Sequence, residues 1–314
     1  MRGWFTKSAS GLLGASAFLV VCHSTAAAQL AREMPPPPRD TTIAVVRGPL
    51  LPTESEFALD QIRYDRVFDA RIATRFNIKR AFHERGIRYP AAEIFLRIFK
   101  RERSLELWVR PEGQERYELL KTYPICALAG GLGPKRRQGD NQVPEGFYNI
   151  DFFNPLSDYH LSLHLDYPNR HDRMAGVEAI NLGGDIYIHG GCASAGCMAL
   201  TDEGIKELYW VAVEARALGQ HWIPVHIFPA RLDDRDIEGL ERSFRGQPEL
   251  LRFWETLKPA YDFFQTTQRV PAVAVDLAGT YRLDGVADSR PQLMPVRGTR
   301  RKVPLGAPVS SGGS

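Results

Sequence analysis

Two hydrophobic periods divide the chain. Ile94, Leu96 and Ile98 alternate with Phe95, Arg97 and Phe99, and Leu105, Leu107 and Val109 alternate with Glu106, Trp108 and Arg110. A period of two is that of strands. Pro111-Glu112-Gly113 reads as a turn, and a third strand is predicted around 117–127, with Cys126 in it. Residues 159–166 alternate strictly: Leu161, Leu163 and Leu165 face one way, His160, Ser162, His164 and Asp166 the other. That polar face reads as solvent-exposed or cleft-lining rather than as a metal site. Ile186 and Ile188 mark a short strand that leads into His189 and leaves Tyr187 and His189 on the opposite face. A last strand is predicted over 222–228, with Pro224 pointing to a sheet edge.

Helical spacing occupies both flanks. Thr53-Glu54-Ser55-Glu56 fits a capping box, and the apolar residues that follow (Phe57, Ile62, Val67, Ile72, Phe76) are embedded in dense charge until Gly86 and Pro90 stop the segment. Thr201 is a good N-cap, with Asp202 and Glu203 suiting the first turn. Ile205, Leu208, Tyr209, Ala212 and Ala215 then hold one face until Gly219. Two more helices are predicted over 232–244 and 248–268, the second bent or broken at Pro259. The expected organisation is a signal peptide over 1–28, a Pro-rich linker over 29–51 and an N-terminal helical segment over 52–92. A catalytic domain over 93–230, C-terminal helices over 231–274 and a disordered tail over 275–314 complete it. The fold class is mainly β with flanking helices (α+β).

Composition narrows the class. The 314 residues are 44% hydrophobic and 25% charged, with a formal net charge of +3. Those proportions suit a globular chain with a core, and no basic stripe interleaved with aromatics points to nucleic acid. Arg2 and Lys7, the apolar run 12–21 and Ala26-Ala27-Ala28 make a secretory signal, too short to span a membrane. Val21 before Cys22 argues against a lipid anchor there. No spanning segment is expected after the signal is removed, and an exported location follows. Of the four cysteines, Cys126, Cys192 and Cys197 remain after cleavage. An odd number leaves at least one thiol unpaired.

The candidate chemistry lies in residues 184–202. His189 stands eight residues before Cys197, joined by a loop of Gly, Ala and Ser. A thiolate is the reactive form of cysteine and needs a neighbouring base. Gly190 and Gly191 let the loop fold back, and the Gly190 carbonyl is positioned to hold the His189 ring in one tautomer. The Gly196 and Cys197 amides are candidates for an oxyanion hole, and Ser194 for tying the loop. A Cys192–Cys197 bridge and a zinc site of His189, Cys192 and Cys197 are the alternatives; the zinc spacing fits no common knuckle. Cys126 and Cys192 read best as inert small residues. No cofactor and no metal are expected.

His189 with Ser194-Ala195-Gly196-Cys197 resembles the histidine and Ser-x-Gly-Cys signature of the L,D-transpeptidase catalytic domain, the YkuD-like family, and most closely its YafK-like branch. Gly133-Pro134-Lys135, the run 139–148, Asn154-Pro155, Tyr167-Pro168-Asn169 and the run 225–229 match in order. The resemblance implies a β-sandwich or barrel-like catalytic domain, Cys197 as nucleophile and His189 as catalytic base. It implies peptidoglycan stem peptides as substrate, in the periplasm, with attack at the L-centre carbonyl of meso-diaminopimelate through a thioester, in the service of cell-wall biogenesis and cell shape. The fate of the acyl group stays open between transfer to an amine and hydrolysis that releases peptide or a diaminopimelate-linked lipoprotein; a non-catalytic peptidoglycan-binding protein is the remaining alternative. Ala195 and Ala199 depart from the basic or amide residues that many members carry. Lys135, Asp140, Gln142, Glu145, Asn154, Asn169 and Tyr187 are the expected substrate contacts, with Gly190, Ser194 and Gly196 supporting the loop.

Overall fold

In the computed structural model, which describes residues 55–175 and 181–287, strand β1 (Glu93–Phe99) is buried along its whole length. Its alternating sets serve two cores. Ile94, Leu96 and Ile98 enter the main one, while Phe95 and Phe99 enter two smaller ones beneath the C-terminal helices. A strand covered on both faces has no solvent side to be polar. Within it, Arg97 is buried with its guanidinium over the rings of Phe99, Tyr261 and Phe264 and donates to Gln265 Oε1 at 2.8 Å. The expected leader, the linker and the tail beyond residue 287 lie outside the described residues.

The sheet runs β3 (Glu118–Pro124), β2 (Ser104–Arg110), β1, β9 (Ile223–Phe228), β5 (Gly146–Asn154), β6 (Ser162–Leu165), β7 (Tyr187–His189), β8 (Met198–Ala199), β4 (Ala127–Leu128). β3 and β4 stand at opposite ends of that order, yet only Ile125 and Cys126 separate them along the chain. Three Cα steps reach about 10 Å, so the sheet curls until its ends nearly meet. This is the mainly β, barrel-like architecture expected. Helix α4 (Asp202–Ala217) packs on β1, β6 and β7, and α1 (Glu56–Gln61) and α2 (Asp65–Glu84) pack on α4. Thr201 caps α4 through Gly204 N–H. Short α3 (Arg170–Ala175) follows β6, and α5 (Asp234–Phe244) and α6 (Pro248–Thr267) cover Phe99 and Phe228.

Four expectations are corrected. The first cap is Ser55, whose Oγ accepts from Ala58 N–H at 3.1 Å, so α1 starts at Glu56. β9 is central: its parallel pairing with β1 begins at Val225, so the missing N–H of Pro224 falls where β1 makes no demand. Helix α6 is not broken at Pro259: it continues through it, with Leu257, Ala260 and Tyr261 buried on either side, so tertiary packing outweighs one lost bond. Residues 275–287 are not a structureless tail: β10 (Pro271–Val275) and β11 (Tyr281–Val286) pair as a hairpin, anchored by one buried aromatic, Tyr281, which accepts from Asn169 Nδ2 at 2.7 Å. The hairpin's other outward residues are polar or exposed, which is why its composition reads as a tail.

Candidate active site

Strands β7 and β8 are consecutive yet parallel, with Ile188 opposite Met198 and His189 opposite Ala199. Residues 190–197 are all that joins them, so the chain must double back and re-enter at the level of Tyr187. In that register Cys197 is level with Tyr187, and alternation puts the Cys197 and His189 side chains on one face. A rise of ~3.3 Å per residue and a strand spacing of ~4.8 Å put their backbones about 8 Å apart on the diagonal.

Cys197 is the free cysteine among the described residues. Cys126 and Cys192 form a disulfide with Cα atoms 5.3 Å apart, which corrects the reading of both as inert and of Cys192 as a partner for Cys197. The two sulfurs meet because closure of the sheet brings the β3–β4 junction beside the loop that follows β7.

The His189 Nδ1 lies 2.6 Å from the Gly190 carbonyl oxygen. A carbonyl only accepts, so Nδ1 carries the hydrogen and Nε2 is the basic nitrogen. The ring packs on Tyr159 with centroids 4.6 Å apart. Burial holds the His189 pKa below the usual imidazole range, and only the Gly190 contact opposes it. Burial likewise pushes the Cys197 thiol up, against the Tyr187 N–H and the charge of Lys135. The thiol donates to the Asp185 carbonyl at 3.5 Å. Both shifts favour the uncharged forms, a thiol on Cys197 and an imidazole on His189.

The loop leaves no room for other residues at its start. A Cβ on Gly190 would lie 2.6 Å from Asp202 Oδ1 and 3.0 Å from the Tyr159 carbonyl, while Gly190 N–H donates to that carbonyl at 3.0 Å and Gly191 N–H to Asp202 Oδ1 at 2.9 Å. Ser194 Oγ donates to the Cys197 carbonyl at 2.7 Å and accepts from Ala129 N–H at 3.1 Å. It also accepts from Gly196 N–H at 3.3 Å, so one of the two amides expected in an oxyanion hole is turned into the loop.

The expected substrate contacts divide. Tyr187 and Lys135 belong with Cys197, since both bear on its thiol. Lys135 is held by Asp140 Oδ1 at 2.7 Å and the Arg137 carbonyl at 2.8 Å. Asp140 also accepts from the amides of Arg136, Arg137 and Gln142, so it shapes the loop and aims the lysine. Gln142 clamps Gly131 and Gly133. Glu145 is fully buried and accepts from Gly133 N–H and Trp254 Nε1, both at 2.7 Å. Asn154 Oδ1 closes a turn by accepting from Leu156 N–H, and Asn169 joins α3 to Phe147 and Tyr281. The geometry of these last four is that of scaffold. Tyr159 and Asp185 escape sequence reasoning because they act through stacking and a carbonyl. On the polar face of β6, His164 Nδ1 meets Asp151 at 2.6 Å. Among the described residues no group of three or more His, Cys, Asp or Glu is arranged to hold a metal, and no helix is long and apolar enough to cross a membrane.

The profile of the L,D-transpeptidase catalytic domain, YkuD, matches residues 97–227. Over 184 residues the chain is 40% identical to the protein named "Putative L,D-transpeptidase YafK" in Escherichia coli K12, covering 58% of this chain and 70% of that one; the Escherichia coli O157:H7 protein of the same name matches equally. Among solved structures, the helical cell shape determining protein Pgp2 of Campylobacter jejuni superposes with a TM-score of 0.36 at 17% identity, over 59% of this chain and 73% of that one. Bd1075 of Bdellovibrio bacteriovorus does so at 0.31 and 20%, over 55% and 60%. Superpositions this loose carry no conclusion.

Proposed function

Because this chain belongs to the L,D-transpeptidase catalytic domain family, in its YafK-like branch, we propose that it is an exported, periplasmic cysteine acyltransferase acting on peptidoglycan stem peptides. The observation that carries this reading is the free thiol of Cys197 on the same sheet face as His189, whose Nδ1–H is occupied and whose Nε2 is basic. As Cys197 Sγ attacks the carbonyl at the L-centre of meso-diaminopimelate, His189 Nε2 takes the thiol proton. The tetrahedral intermediate collapses, the C–N bond breaks, and His189 returns the proton to the departing amine. A thioester on Cys197 remains. An incoming nucleophile attacks it, gives its proton to His189, and the thiolate leaves and is reprotonated. The Tyr187 N–H and the charge of Lys135 both act on the thiol, and these two residues are the proposed substrate contacts.

An amine acceptor makes this a transpeptidase; water makes it a hydrolase that frees peptide or a diaminopimelate-linked lipoprotein. Ala195, exposed, and Ala199, buried, stand where many members of the family carry a basic or amide residue, and this departure favours water as the acceptor. Carbapenem labelling followed by peptide mass mapping tests the nucleophile, and failure to modify Cys197 overturns the assignment. Incubation with purified sacculi then separates the outcomes: new cross-links mean transfer, released peptide or protein means hydrolysis.

A further inference from the structure

We propose that the Cys126–Cys192 disulfide positions the active-site loop, so that the thiol and the imidazole are brought into working register only in the oxidised chain. The inference rests on Cys197 being the nucleophile. Residues 190–197 contain three glycines, two alanines and one serine between and beside the two cysteines. None of these side chains is large enough to anchor the loop by burial. Its ends are held by polar contacts: Gly190 N–H on the Tyr159 carbonyl, Gly191 N–H on Asp202, and Ser194 between Ala129 and Cys197. Between those ends the loop passes through Cys192, a non-glycine residue at φ 46°. A side-chain-bearing residue keeps that conformation only where its surroundings impose it. The covalent constraint on Cys192 is its bond to Cys126.

Cys126 is a firm anchor. Its N–H donates to the Ala199 carbonyl at 2.9 Å, and its own carbonyl accepts from Arg103 Nη2 at 2.9 Å. Ala199 is the β8 residue paired with His189, two positions beyond Cys197. The covalent link therefore ties the middle of the loop to the strand that carries the nucleophile. It turns an open loop between base and nucleophile into a closed ring. Loss of the link leaves both catalytic residues in the chain but frees their separation, and a displacement of ~1 Å in such a pair lowers rates about 100-fold. Cys192 is exposed, so a dithiol can reach it. One reductant thiolate attacks a protein sulfur, and its second thiol resolves the mixed disulfide. Two protein thiols form and the reductant becomes a disulfide.

The test compares three forms of the full chain: oxidised wild type, wild type reduced with dithiothreitol and desalted without oxygen, and the C126S/C192S variant. In each, the rate of Cys197 acylation by a carbapenem is followed by mass spectrometry across pH, beside thermal unfolding. The expected result is acylation 10–100-fold slower in the reduced and variant forms, with the His189 inflection lost from the pH profile and the rate restored on reoxidation of the wild type. A bridge that served stability alone would lower the unfolding temperature and leave the pH profile of the folded protein unchanged. Equal rates and profiles in all three forms overturn the inference while leaving the nucleophile assignment intact. Absence of a Cys197 adduct in the oxidised wild type overturns both. If the variant does not fold, the reduction and reoxidation of the wild type decides.

Discussion

His189 and Cys197 are each shifted toward the uncharged form by burial, one downward and the other upward, and that pair of shifts is open to measurement. A preformed thiolate–imidazolium couple would alkylate at a constant rate across the acidic and neutral range. Here the iodoacetamide rate on Cys197 should instead climb only at and above the ordinary thiol range, about pH 8.5, with no plateau between about pH 5 and 7. Turnover should behave differently. In the proposed mechanism it needs His189 neutral, and a depressed imidazole pKa keeps it neutral to lower pH than a free histidine, so kcat/KM should fall only below about pH 6.5. A flat alkylation profile near neutrality would sink the neutral-pair description. The same two residues were the legible part of the candidate site, because a thiol and an imidazole announce their chemistry by type. Glu145, Gln142 and Asn169 read equally well as substrate contacts, since a polar side chain that satisfies backbone groups looks no different in sequence from one that meets a ligand. The pairing of Cys126 with Cys192 was hidden for another reason: their 66-residue separation closes only when the sheet does.

At the scale of elements, β1, β2 and α4 were legible from periodicity, whereas β7 and β8, at three and two residues, are too short to show a period, and their parallel pairing leaves no local mark. Helix α4 carries the second test. Its Glu214 accepts from Tyr89, in the segment before β1, and is almost wholly buried. Burial raises its pKa to about 7, outweighing Tyr89, Trp210 and Arg71. The folded state thus binds this proton more tightly than the unfolded chain, whose glutamate titrates near 4.3. Stability from this group is present below about pH 4.3, declines as pH rises toward 7 and stays reduced above it, by up to about 3 kcal/mol. Glu214→Gln keeps an acceptor for Tyr89 without the charge. It should raise the unfolding temperature at pH 8 by several degrees, at roughly 2–4 °C per kcal/mol for a domain of this size, and match the wild type near pH 4. Equal melting curves for the two proteins at pH 8 would refute the account.

On the scale of the whole molecule, one buried charge pair joins parts that the sequence keeps far apart. Lys100, just past β1, lies 2.9 Å from Glu145 Oε1, with both side chains inaccessible. Lys100 Nζ also donates to the carbonyls of Gly133 at 2.7 Å and Val143 at 2.9 Å, while the second Glu145 oxygen receives Trp254 Nε1 from α6. The central strand, the loop that carries Lys135 and the C-terminal helix are thereby fixed to one another at a single point. A buried pair adds little net stability, but removing one partner strands the other charge without water, at about 3–5 kcal/mol. Glu145→Ala should therefore lower the unfolding temperature by roughly 10 °C or more, and the loss should not stop at stability. The Gly133 amide loses its acceptor and the Lys100 ammonium its counter-charge, the loop that aims Lys135 loosens, and carbapenem acylation of Cys197 should slow even at temperatures where the variant is folded. Lys100→Met in the Glu145→Leu background removes both charges together and should recover more than half of the lost stability, because the cost lies in the stranded charge and not in the missing attraction. A double variant no more stable than Glu145→Ala would mean that the hydrogen bonds to Gly133, Val143 and Trp254, and not the charge pair, hold these three parts together.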